Sequence, residues 1–146
     1  MGYCAYAKLV YGVESNESDI SQETKVRSCE HSIDLTAKFC PECGKPVYKS
    51  VMTYPEELIE NWRDENPLQD YGISKDFEFE FHRLSCESKS GVLGFSPRQH
   101  SRSNMVQPVF APTQEMTDYI IKFFNDHNIK IQPPNIKQSY FLYESY

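Results

Sequence analysis

The chain has 146 residues, 39% hydrophobic, 25% charged and 14% aromatic, a composition that supports one packed domain and excludes a largely disordered chain. Its formal net charge of -6 excludes nucleic-acid binding by bulk charge alone, because neutralising phosphates needs clustered Lys and Arg, so only a local basic patch stays open. No apolar run reaches the ~18 residues of a membrane-spanning helix, and "MGYCAYAKLVYGVE" lacks the basic start and cleavage site of a signal peptide, so a soluble cytoplasmic protein is expected.

In chain order, "YCAYAKLVYGV" (3–13) is rich in Tyr, Val and Leu and predicts a long strand. The polar stretch 14–25 has no apolar period and reads as a loop leading to a cysteine cluster. "VYKSVMTY" (47–54) has strand composition. Pro55 then opens a helix, with Glu56 and Glu57 at the positive end of its dipole and Leu58, Ile59 and Trp62 on one face; Asn66-Pro67 ends it. "KDFEFEFHRLS" (75–85) alternates Phe77, Phe79 and Phe81 with Glu78, Glu80 and His82, the period of a strand with one buried face. "VLGFS" (92–96) returns as its hairpin partner. A long aperiodic loop (96–112) ends at Thr113, a plausible N-cap for a helix carrying Met116, Ile120, Phe123 and Phe124 on one side, with Asn128 as a left-handed stop. "IKIQ" (129–132) and "QSYFLYESY" (138–146) add strand-like segments around Pro133-Pro134-Asn135.

Setting the cysteine cluster aside, the order is strand, helix, strand, strand, helix, strand. This predicts an α+β domain over 1–146 with a ferredoxin-like split βαβ (β-α-β-β-α-β) core, an antiparallel sheet, two helices and an extra C-terminal strand. The cysteine module, 26–54, is inserted after the first strand.

That module carries the chain's clearest chemistry. Three of the five cysteines, Cys29, Cys40 and Cys43, fall with His31 inside residues 29–43, which under reducing conditions points to metal ligation rather than disulfides. Cys40-Pro41-Glu42-Cys43-Gly44 has the two-residue spacing that turns both thiolates onto one tetrahedral ion. Phe39 to Val47 resembles the second knuckle of zinc-ribbon proteins, with an aromatic before the cysteines and an apolar residue after them. The resemblance covers residues 29–47 and implies one structural Zn2+. The first knuckle departs from that pattern: Cys29-Glu30-His31 replaces a second Cys-x-x-Cys-Gly. His31 is the best fourth ligand, giving Cys₃His, with Asp34 and Cys86 as alternatives. Cys4 and Cys86 are otherwise read as small buried residues.

Other candidate sites have simpler readings beside them. Arg83, Lys89, Arg98, His100 and Arg102 face only Glu87 between 82 and 102, a local excess that could bind an anion or could be a solvated loop. The acidic run 56–70 offers Glu57, Glu60, Trp62 and Asp64 as a candidate protein-docking surface, or simply as the wet side of a helix. His82 and His100 could be imagined as an acid/base pair on a phosphate-containing substrate, but no nucleophile elbow, phosphate-cradling loop or paired-carboxylate motif accompanies them, so no enzyme is expected. In size and in lacking a catalytic motif the chain resembles small accessory or regulatory proteins such as those carried by bacteriophages, which would place it in a host cytoplasm. The expected function is protein-protein binding with a structural zinc; the alternative is nucleic-acid or nucleotide binding through the zinc module and the basic loop 98–102.

Overall fold

The computed structural model of the chain describes residues 4–31, 36–84, 88–98, 110–131 and 135–145. It is a mixed α/β structure with antiparallel sheets and, among the described residues, four helices. Its central sheet has the order β4-β5-β1-β6, built from β4 (Phe77–Arg83), β5 (Ser90–Pro97), β1 (Cys4–Asn16) and β6 (Lys137–Ser145). The long β1 pairs through its first part with β6, Cys4 facing Ser145 and Gly12 facing Lys137, and through its second part with β5, from Tyr11 opposite Phe95 to Asn16 opposite Ser90.

The alternating strand puts its phenylalanines where the period requires. Phe79 faces Phe95, and Phe81 faces Leu93, on the side covered by α2 (Pro55–Glu65) and α4 (Gln114–Asp126). Helix α2 starts on Pro55 and buries Ile59 and Trp62; α4 starts on Thr113, whose hydroxyl accepts from the Met116 N–H at 3.2 Å, and buries Met116, Ile120, Phe123 and Phe124. Asn128 takes φ 58°, the left-handed stop, as Ile129 N–H returns to the Phe124 carbonyl at 2.9 Å.

Trp62 was a candidate docking residue, and the structure corrects that: it is 6% exposed. Its ring meets Tyr119 at 4.6 Å, Phe123 at 5.3 Å and Phe79 at 5.9 Å between centroids. Its Nε1–H donates to Asp126 Oδ2 at 2.9 Å, joining the two long helices. The physical reason is the one-turn spacing from Leu58 and Ile59, which turns the indole to the sheet and leaves Glu57, Glu60 and Asp64 exposed.

Three other expectations shift. The stretch 14–25 is not a loop: β1 runs on to Asn16, a single turn α1 (Glu17–Ile20) buries Ile20, and β2 (Gln22–Arg27) follows. A short α3 (Tyr71–Asp76), capped by the Asp70 carboxylate on the Gly72 N–H at 2.8 Å, precedes β4, so the helices outnumber the expected two. Residues 129–131 carry no regular structure, so the described C-terminal part has one strand, β6. No helix among the described residues is long and apolar enough to cross a membrane.

The inserted module is a second, two-stranded sheet of β2 and β3 (Tyr48–Thr53), with Gln22 opposite Thr53 and Arg27 opposite Tyr48. Its described residues contribute nothing to the main hydrophobic cluster, which passes from Ile20 to Ile59. Nearly every β2 and β3 residue is exposed, on both faces of the ladder.

Candidate metal centre

The far end of the β2–β3 ladder carries the cysteines. Ser28 N–H donates to the Val47 carbonyl at 3.0 Å just past the last ladder pair, which sets Cys29 beside the returning chain. In the second knuckle the chain doubles back on itself: Gly44 N–H donates to the Cys40 carbonyl and Cys40 N–H to the Lys45 carbonyl, each at 2.8 Å, while Phe39 bridges Pro46. Gly44 sits at φ +73°, a conformation that a side chain would strain, which explains glycine directly after the second cysteine.

This folding gathers one donor atom each from Cys29, His31, Cys40 and Cys43, all within 4.8 Å of one another. His31 Nδ1 lies 3.4 Å from Cys40 Sγ. Zinc bonds of about 2.3 Å to sulfur and 2.0–2.1 Å to nitrogen would separate tetrahedral donors by roughly 3.6–3.8 Å, so the set fits such an ion with small adjustments. Three cysteines and one histidine could thus hold a metal such as zinc. Of the alternatives for the fourth ligand, Asp34 and Cys86 lie outside the described residues.

The electrostatics favour a cation. Burial opposes ionisation of Cys40, yet the N–H groups of Cys43 and Glu42 and the neighbouring thiols of Cys43 and Cys29 outweigh it and bring its thiol down to about 6. Cys43 moves the other way: the Lys45 N–H favours its thiolate, but burial and the thiols of Cys40 and Cys29 push it up. Repulsion among clustered thiolates opposes their joint ionisation, and a divalent ion held between them would relieve it.

Two residues that the sequence did not single out attend His31. Arg27, at the end of β2, donates from its guanidinium to the His31 carbonyl at 2.5 Å. Glu42, between the two cysteines of the second knuckle, brings Oε2 to 3.5 Å from His31 Nε2. The i to i+4 offset of Arg27 from His31 was readable, but its meaning depends on a turn that no periodicity announces.

The described part of the basic run does not assemble into one patch. With Arg83 opposite Gly91 and Phe77 opposite Pro97, Arg83 and Arg98 stand at opposite ends of the β4–β5 ladder, about 20 Å apart at ~3.4 Å per residue. Arg83 is clamped between Glu56 and Glu17, lies over the Phe81 ring at 5.1 Å and donates to the Ser88 carbonyl at 2.8 Å. Arg98 reaches Glu78 at 3.7 Å and the Ser74 carbonyl at 3.1 Å. His100 and Arg102 lie outside the described residues.

His82 is buried on the second face of the sheet, 2% exposed. Its Nε2 is 3.1 Å from the Gly94 carbonyl, and Nδ1 has no hydrogen-bond partner among the described residues. Compared with protein-family models, curated proteins and solved structures, the chain matches none of them.

Proposed function

We propose that this is a binding protein without catalytic activity, in which a split βαβ core carries a zinc-ribbon-like arm, and that the arm and its root dock a protein partner. The strand order β4-β5-β1-β6, with α2 and α4 as the crossovers, supports the split βαβ reading of the core. A Cys₃His donor set fills a tetrahedral ion and leaves no position for a reacting water, which supports a structural role for one zinc. Thiols kept free for a metal suit the reducing cytoplasm.

The observation that carries the docking surface is where the exposed apolar side chains lie. Of nine large exposed hydrophobic residues described, six fall between 26 and 54: Val26, Phe39, Tyr48, Val51, Met52 and Tyr54. Phe39, beside the metal cluster, is 61% exposed. A two-stranded sheet with unpaired edges and apolar groups on both faces is marginal alone, and the metal fixes it while a partner would cover it. Affinity capture with the zinc-loaded full chain tests this against a variant carrying Phe39→Ser and Val51→Ser. A protein retained at high salt by the parent and lost by the variant is expected. Identical capture by both, or capture of nucleic acid that falls steeply with salt, overturns the protein-docking reading.

A further inference from the structure

We propose, resting on the zinc reading above, that His31 binds the metal through Nδ1 and that Glu42 is the positioning residue that holds the ring in that orientation. The two ring nitrogens point to different partners. Nδ1 faces Cys40 Sγ at 3.4 Å, inside the donor cluster, while Nε2 faces the Glu42 carboxylate at 3.5 Å, within ion-pair reach. A proton on Nε2 directed at a carboxylate leaves the Nδ1 lone pair for the metal and makes the imidazole a stronger donor.

Glu42 is placed for this by the knuckle itself. It sits between Cys40 and Cys43 in the turn closed by Gly44 N–H on the Cys40 carbonyl, so the turn that presents both sulfurs also sets the carboxylate. The first knuckle is irregular in sequence, with one residue between Cys29 and His31 and no glycine after them. Arg27 holds the His31 carbonyl and Glu42 holds the ring, so the regular knuckle orients the ligand of the irregular one. Both side chains are substantially exposed, at 44% for His31 and 61% for Glu42, which sets the effect at the low end for outer-shell partners, about tenfold in metal affinity.

The test uses the zinc-loaded full chain labelled with nitrogen-15. Long-range proton-nitrogen spectra are expected to show His31 with metal on Nδ1 and a proton on Nε2. In chelator competition, Glu42→Ala should release zinc about tenfold more readily, and Glu42→Gln, which keeps an acceptor oxygen, should recover part of that loss. Ligation through Nε2, or unchanged zinc affinity in Glu42→Ala, overturns the proposal while leaving the zinc reading intact. A parent chain that binds no zinc overturns both.

Discussion

Buried, uncharged His82 makes the stability of the core depend on pH below about 7. Burial is the main cause that takes its imidazolium down to about 3; nearby Lys8 adds to it, and the Gly94 carbonyl and Glu78 backbone offset only part. The unfolded chain titrates near the ordinary 6.5. The folded value is depressed, so between these two values the unfolded state binds the extra proton. The stabilising contribution is complete above about pH 7 and is lost as pH falls toward 3. At ~1.4 kcal/mol per pH unit, about 2 kcal/mol is gone by pH 5, equivalent to roughly 4–8 °C in Tm for a chain of this length. The comparison is His82→Gln, which offers the Gly94 carbonyl a neutral N–H and does not titrate. Urea unfolding followed through the single Trp62, at pH 8, 7, 6 and 5, reads the core directly. Metal release from Cys29, His31, Cys40 and Cys43 over the same range is common to both proteins and cancels in the difference. The parent should lose about 2 kcal/mol more than His82→Gln between pH 8 and pH 5. Parallel curves would refute the reasoning.

Chelating the metal should release the arm while sparing the core. Proteolysis should cut between residues 22 and 53, with Trp62 emission unchanged, because no described residue between Ile20 and Ile59 belongs to the main cluster. Trp62→Phe should cost about 1–3 kcal/mol in urea unfolding, through lost ring area and an Asp126 carboxylate left without its indole donor. Arg83→Ala should cost about 1–2 kcal/mol in urea unfolding, since one guanidinium joins Glu17 of α1, Glu56 of α2 and the Ser88 carbonyl of the β4–β5 turn.

How legible this molecule was depends on whether the cause of each element is local. The Phe77, Phe79, Phe81 alternation and the Thr113 cap are local instructions, and the structure follows both. The cysteine spacing is local too, and it gathers the four donors. Strand β2 was missed because "QETKVR" has no buried face to impose a period of two; it is a strand only because β3 pairs with it. Arg83 and Arg98 are near in sequence, yet an antiparallel hairpin carries them to opposite ends, so charge counted along the chain overstated a patch. His82 falls on the face its neighbours Glu78 and Glu80 mark as wet. Val10, Val92 and Ser96 are buried there as well, so alternation gave the face correctly and its exposure wrongly.

These differences separate two ways of holding one chain together. The core is held by rings, with Trp62 against Phe79, Tyr119 and Phe123, and Phe95 against Phe79 and Tyr119. Among its described residues the arm buries little beyond Cys40 and Val47, so much of its conformational entropy must be met by something other than apolar burial. The proposed tetrahedral ion would meet it at one end and leave the arm's side chains uncommitted. Phe39, Val51 and Met52 would then stay exposed on a defined backbone, where the proposed partner could cover them, and none of the three belongs to the main cluster of the core.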